Sequence, residues 1–268
     1  MKSRRFSVSR TLIVLWTAAI VVFLYIPIVS VVVASFSHKR YFSFPVTKWT
    51  TKWYEKAMAS LSVRDLIETS LEVAVLVTIF SVVLAFFGAL AFARYDWKGR
   101  KFYQKIILLP IFFPQAVLGL ALLLWFSAIG VTTSWHTAVF AHMVWIVPIV
   151  TLIMSIQVYS FDPSLEEAAY DLGATRWQVL REITLPILSP GILSGTIFAF
   201  LLSWGNFPLS LFTTGADQTV PEWLYAKMVS GYTPMVPTLG SLTVGSAVIM
   251  LVLAYLVYSV IRRRTLKE

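Results

Sequence analysis

The sequence predicts an all-α membrane protein with six transmembrane helices, on three observations. Hydrophobic residues make up 58% of the chain and charged residues only 13%, whereas soluble domains carry roughly 25% charged residues. Uncharged stretches cover 11–36, 73–93, 106–161, 187–213 and 239–261, and a bilayer core takes roughly 20 apolar residues of helix. The stretch 106–161 has room for two spans, separated by the polar, turn-forming run Gly130-Val131-Thr132-Thr133-Ser134-Trp135-His136.

The expected spans are therefore about 11–36, 67–93, 106–129, 137–160, 187–213 and 239–261. They form one domain, 11–261, between an N-terminal tail 1–10 and a C-terminal tail 262–268. A cleaved signal sequence is the rival reading of the first run, but its apolar region spans only about 7–15 residues. Thr11 to Phe36 is longer, and no small-x-small site closes it, so an uncleaved helix is expected. The segment 37–66 mixes Lys39, Arg40, Lys48, Lys52, Lys56 and Arg64 with Tyr41, Phe42, Phe44, Trp49, Trp53 and Tyr54. Such a segment suits the outer membrane interface, rings at headgroup level and Lys side chains snorkelling. Small residues mark helix contacts: Gly191 with Gly195 in the fifth span, and Ser241 with Gly245 in the sixth.

Orientation follows from Lys and Arg. Fifteen of the 22 fall in four blocks: Lys2, Arg4, Arg5 and Arg10; Arg94, Lys98, Arg100, Lys101 and Lys105; Arg176 and Arg181; Arg262, Arg263, Arg264 and Lys267. The positive-inside rule makes these blocks, and both termini, cytoplasmic. That patterning also accounts for the net charge of +9 without nucleic acid, because no basic face or nucleic-acid motif accompanies it.

Several chemistries are excluded. The chain has no Cys, so disulfides, thiolate metal sites and thiol catalysis are ruled out. No GxxxxGK[ST], HExxH or GxSxG occurs, and His38, His136 and His142 are dispersed. No catalytic residue, metal site or cofactor is expected on this chain. His142, inside the fourth span, is expected to be bonded within the bundle. Glu68 and Glu72 lie one turn apart at the outer end of the second span, as an interfacial face or as an acidic lining at a pathway mouth.

The cytoplasmic loop 161–186 is the segment least suited to lipid. Ser164 with Glu167 reads as a capping box, and Leu165, Ala168, Ala169 and Leu172 follow at helical spacing. Gly173 stands where a left-handed C-terminal cap is wanted. Thr175 with Gln178 reads as a second capping box, and Trp177, Leu180 and Ile183 form a second stripe ended by Pro186. The expected product is a helix–Gly–helix elbow whose first helix is small-faced at Ala168 and Ala169. It serves either as an amphipathic connector packed on its own bundle or as a docking surface for another protein.

Glu167-Ala168-Ala169, three residues, Gly173, nine residues, Ile183, one residue, Leu185-Pro186 resembles the EAA motif of ABC importer permeases at every fixed position. Leu24-Tyr25-Ile26-Pro27-Ile28, Thr51-Lys52-Trp53-Tyr54, Arg94-Tyr95 and the stretch Ser210-x-Phe212-x-Thr214-Gly215 resemble the polyamine/opine-type subgroup, similar to the second permease of spermidine/putrescine importers. The resemblance implies a type I importer fold (MetI-like) in a bacterial inner membrane. It implies a homologous second permease, two cytoplasmic ATPase subunits that bind ATP and Mg, and an extracytoplasmic solute-binding protein. Glu167, Ala168, Ala169, Gly173, Ile183, Leu185 and Pro186 would then couple this chain to an ATPase.

One departure bears on the solute. Gly205 and Asn206 stand where the subgroup tends to carry carboxylates in the fifth span, so opines, other amino-acid derivatives or a phosphonate-like solute join polyamines as candidates. Trp204 and Asn206, beside Gly205 and Pro208, are the first candidates for the pathway, because freed backbone is tolerated where it lines a cavity. Gln115, next to Pro114, and Gln157 come second. The alternative function is a stand-alone secondary transporter or channel, which would need intramembrane ionisable residues that the span centres lack apart from His142.

Overall fold

A computed structural model describes residues 8–41 and 44–265. Lys2, Arg4, Arg5 and Lys267 of the orienting tails, and Phe42, lie outside the described residues, as do the side chains of Arg262, Arg263 and Arg264. In chain order the helices are α1 (Val8–Ser35), α2 (Lys52–Ala59), α3 (Leu61–Ala89), α4 (Arg100–Ile106), α5 (Leu109–Phe112), α6 (Gln115–Ala128), α7 (Trp135–Ser160), α8 (Ser164–Asp171), α9 (Arg176–Val179), α10 (Leu185–Trp204), α11 (Ser210–Thr213), α12 (Val220–Ser230) and α13 (Met235–Thr265). Single π turns, Leu90–Arg94 and Leu180–Thr184, extend α3 and join α9 to α10. Among the described residues there is no strand beyond one isolated bridge, Ser37 to Trp49.

Among the described residues, five helical stretches are long and apolar enough to cross a membrane: Arg10–Ser35, Leu61–Arg94, Trp135–Ser160, Arg176–Trp204 and Met235–Leu256. A sixth crossing is open to the pair Arg100–Phe112 and Gln115–Ala128, whose axes turn by 101°. The third span is therefore not the straight run expected over 106–129. Pro114 forces Phe113 out of the helical region, to ψ 136°, and the chain turns there. The fifth helix also departs from 187–213. It begins far earlier, at Arg176, and stops at Trp204. Pro186 does not end the elbow's second helix, because the π turn before it places the N–H of Leu185 on the Leu180 carbonyl. A wider turn relieves the clash between a proline ring and the carbonyl four residues back.

The chain divides into two compact units. One comprises 1–63 and 224–245. In it α1 leaves its apolar side chains exposed from Leu12 to Val29, as a helix facing lipid or another subunit would. The Ser35 and Tyr54 hydroxyls share a hydrogen bond of 2.6 Å, and Tyr54 donates to Ser241 at 3.1 Å. Trp53 donates Nε1–H to the Ser37 carbonyl, and the ammonium groups of Lys52 and Lys56 stand over its ring.

The other unit comprises 64–223 and 246–268. Its core is a seam of Val73, Val77, Ala85, Phe86 and Ala89 on α3, Val139, Ile146, Val150, Met154 and Val158 on α7, and Leu188 and Ala199 on α10. Lipid supplies no hydrophobic drive between helices, so close packing must. Gly191 and Gly195 show how: a Cβ on Gly195 would lie 2.8 Å from Met154 Cε, and one on Gly191 would lie 2.9 Å from Gln157 Cβ. Gly245 repeats the sequence spacing, but a Cβ there meets nothing within 4 Å. Gly195→Val is therefore expected to cost about 1–3 kcal/mol by overpacking, and Gly245→Val much less. Thermal unfolding of the purified chain in detergent checks the contrast.

Candidate functional site

The elbow is built by its own capping chemistry. Its first helix, α8, is capped by Asp162, whose Oδ1 accepts from the Ser164 N–H at 3.0 Å. The capping box expected from Ser164 and Glu167 does not form, because Ser164 already sits inside the first turn. At the other end Gly173 has φ +86°. The Gly173 N–H reaches the Tyr170 carbonyl and the Ala174 N–H reaches Ala169, the paired bonds of a Schellman motif. Thr175 and Gln178 form their capping box, with Gln178 Oε1 accepting from the Thr175 N–H at 2.8 Å. Since α9 runs through the π turn into α10, the elbow's second arm is the cytoplasmic end of the fifth span.

The elbow leaves large apolar side chains open, although Leu180 and Ile183 of its second stripe are half-buried against the core. Leu172 is 90% exposed and Trp177 67%, and Leu165 and Tyr170 are about half exposed. A connector packed on its own bundle would bury these side chains; a docking surface leaves them free. Glu167, Ala168 and Gly173 are exposed, Ala169 is half-buried, and a Cβ on Gly173 would meet open space. Ile183 and Leu185 are half-buried on the bundle side, and Pro186 is exposed. Of these seven residues, Glu167, Ala168, Gly173 and Pro186 are thus exposed, and Ala169, Ile183 and Leu185 are half-buried.

Glu166, rather than Glu167, holds the elbow to the bundle. Its Oε2 lies 2.6 Å from Arg94 Nη2, and its Oε1 accepts from the Thr184 hydroxyl at 2.6 Å. The Arg94 guanidinium also stands 4.9 Å from the Phe161 ring centroid. A cleft of about 740 Å³ opens beside this cluster, lined by Tyr95, Glu166, Tyr170, Ala174, Thr175 and Arg176. Sequence reasoning took Arg94 as an orienting charge and passed over Glu166 and Thr184. The available signal was an arginine directly at a span end, with two adjacent acids in the next loop of the same side.

The second locus is the break after Trp204. Gly205 ends α10, and Asn206 Oδ1 accepts from the Leu209 N–H at 3.1 Å, so the amide caps the short helix α11. His142 straddles the break, with Nδ1 2.9 Å from Ser203 Oγ and Nε2 3.0 Å from Ser210 Oγ. Ser210 spends its hydroxyl proton on the Asn206 carbonyl at 2.8 Å, so it accepts from Nε2–H and leaves Nδ1 to accept from Ser203. A Cβ on Gly119 of α6 would lie 3.1 Å from the Pro208 carbonyl, so α6 passes the break in close contact.

The four pathway candidates do not converge. Trp204 stacks on Phe200 and, with Leu71, Val75, Ile79 and Met250, lines an apolar cleft of about 470 Å³. Asn206 is buried in its cap. Gln115 is half-buried one turn before Gly119, and Gln157 is half-buried against Gly191. Glu68 and Glu72 are exposed on α3. Glu222 was not anticipated: it is buried and accepts from the Thr214 hydroxyl at 2.6 Å and from the Thr219 N–H at 2.8 Å. Its signal was a Thr-x-x-Glu capping box at Thr219.

The Asp162 cap titrates. The backbone hydrogen bond from Ser164, then one with its side chain, holds the Asp162 carboxyl below its ordinary range, and the Arg94 charge adds to that pull. A lowered folded pKa stabilises above the ordinary value and loses its effect as pH falls through the lowered one. Amide protection at Ser164–Glu167 should therefore drop in acid, whereas Asp162→Ala should be poorly protected throughout. Hydrogen exchange of the assembled protein, corrected for intrinsic rates, reads the difference.

Residues 81–266 match the family described as "Binding-protein-dependent transport system inner membrane component". The spermidine/putrescine transport system permease protein PotC of Escherichia coli K12 is 30% identical over 240 residues, covering 89% of this chain and 90% of PotC. The putrescine transport system permease protein PotI of the same strain is 29% identical over 232 residues, covering 84% and 82%. Solved structures share the fold: a bacterial ABC transporter involved in import of the acidic polysaccharide alginate, at TM-score 0.65 and 18% identity, covers 96% of this chain and 99% of its own. The MetNI methionine ABC transporter superposes at TM-score 0.60 and 18% identity, covering 75% and 99%. An all-α bundle of apolar helices, an outward-facing elbow between its fourth and fifth spans and these relatives agree: the chain belongs to the binding-protein-dependent transport system inner membrane components, as a permease subunit of the type I ABC importer fold.

Proposed function

We propose that this chain forms half of the translocation pathway of an ATP-driven importer for a small organic solute, and that its elbow is the handle by which a separate ATPase drives it. The exposed apolar stripe of the elbow, Leu165, Tyr170, Leu172 and Trp177, carries this reading. Ala168 and Ala169 permit close approach, Gly173 sets the angle between the arms, and Glu167 offers a charge at the contact. Ile183, Leu185 and Pro186 sit at the hinge where the elbow enters the fifth span. ATP and Mg would reside on two partner ATPase subunits; a homologous second permease and an extracytoplasmic solute-binding protein would complete the assembly in the lipid bilayer. The tails 1–10 and 262–268 and the loop 161–186 would be cytoplasmic, with 11–261 as the six-span domain. A stand-alone secondary transporter or channel loses its ground with membership of this family.

Mechanically, ATP-driven closure of the partner subunits would displace the elbow. The second arm is continuous with the helix that ends at Trp204, so the displacement would act on the break at Gly205–Pro208, a rigid-body shift between two access states. The solute is proposed as a polyamine, an opine or a related amino-acid derivative. PotC and PotI, by their names, serve spermidine and putrescine, whereas Gly205 and Asn206 place no carboxylate at the break.

The chain lacks Cys, so a single introduced thiol can be followed without background. Thiols placed at Ala168 or Ala169 should cross-link to an ATPase subunit in intact vesicles; failure of both to capture one overturns the docking role. Glu167→Lys and Gly173→Leu should sever uptake from ATP hydrolysis while the bundle still inserts. The second adds the roughly 1–2 kcal/mol penalty of a left-handed non-glycine residue. Normal uptake per ATP in both variants counts equally against the reading.

A further inference from the structure

We propose that Glu166, clamped by Arg94 and Thr184, is the positioning residue that transmits elbow movement to the transmembrane bundle. The proposal rests on the docking role of the elbow and names the link on its inner side.

Four observations converge on Glu166. Its two carboxylate oxygens are divided between two different spans, Oε2 to Arg94 at the end of the second and Oε1 to Thr184 in the fifth. Arg94 and Thr184 are each the last residue of a π turn, and single π turns inside α-helices lie frequently at functional sites. The side chains of Arg94 and Glu166 retain only 12% and 16% of their exposure, so the pair is shielded from the screening that weakens surface ion pairs. Arg94 also rests on Phe161, which follows the fourth span. Glu166 therefore gathers the cytoplasmic ends of three spans, whereas Glu167, one residue away, is exposed and faces outward.

The anchor behind Arg94 is stiff. Helix ends leave carbonyls unpaired, and here the carbonyls of Ala91, Phe92 and Ala93 are taken by Trp97 Nε1, by Arg100 Nε with Gln104 Nε2, and by Arg100 Nη2, at 2.7–3.2 Å. A push on α8 thus meets a fixed cation on one side and, through Thr184, the root of the fifth span on the other. Adjacent carboxylates divide the work: Glu167 faces the partner and Glu166 faces the bundle.

The test uses the complete transporter in vesicles, with uptake and ATP hydrolysis measured together. Glu166→Gln should lower solute uptake per ATP by about tenfold or more while hydrolysis persists, and Thr184→Val, which keeps the ion pair, should lower it by a smaller factor. Exchanging the charges, Arg94→Glu with Glu166→Arg, should restore part of the coupling that either single change removes. A merely structural role would lower both rates together with the amount of assembled protein. Unchanged uptake per ATP in Glu166→Gln and Thr184→Val overturns the proposal; should Glu166→Gln fail to insert, unchanged uptake per ATP in Thr184→Val together with a charge exchange that restores nothing overturns it. A thiol at Ala168 of the parent chain, read in the same vesicles, separates the two claims. Capture of an ATPase with unaltered coupling in the variants sinks the clamp alone, and absence of capture sinks the docking role and the clamp with it.

Discussion

A chain inside hydrocarbon must pair every backbone N–H and C=O within itself, because no water is there to do so. That constraint decides where this bundle can be irregular. At the breaks after Arg94 and Trp204, side chains take over lost backbone bonds. Asn206 caps the segment after Trp204. Arg100, Gln104 and Trp97 close the carbonyl end of the second span, and His142 bonds to hydroxyls on both sides of the fifth-span break. The irregular places are therefore costly in sequence, and they are where the functional reading concentrates.

The same constraint explains why the elbow is placed where it is. Outside the bilayer, short capped helices are affordable and an apolar stripe can be left open to a partner. Leu172 and Trp177 face outward there, as the proposed docking surface requires. The elbow is rigid within each arm, through the Schellman turn at Gly173 and the Thr175–Gln178 box, and continuous with the fifth span through the π turn before Pro186. Rigidity within each arm and continuity with a span together would make a lever of it under the proposed docking.

Much of this was legible in one dimension. Apolar length located the helices, because 1.5 Å of rise per residue against a fixed bilayer thickness leaves little choice. The turn at Gly130 was legible from its composition, and Gly130 has φ +74° with Val131 bonded back to Phe126. The second elbow box at Thr175 was legible from spacing alone. The Ser164 box was not, since Asp162, two residues earlier, is the better acceptor and shifts the helix start. Pro186 misled as a stop signal because a π turn is invisible in residue pattern. Asn206 looked like a pathway amide because nothing local shows that its oxygen is already taken by Leu209.

The sequence by itself determined the class of protein, the apolar stretches able to form its helices and the presence of a capped elbow, since these depend on composition, periodicity and contacts within a few residues. Only the tertiary structure decided which face of the elbow is open, that the third and fifth spans are broken, and that Glu166 rather than its neighbour meets Arg94 from 72 residues away. Two adjacent carboxylates are alike as letters. A helix turns by about 100° per residue, so the two cannot share one face, and the packing of three spans around Arg94 turns Glu166 inward and leaves Glu167 exposed.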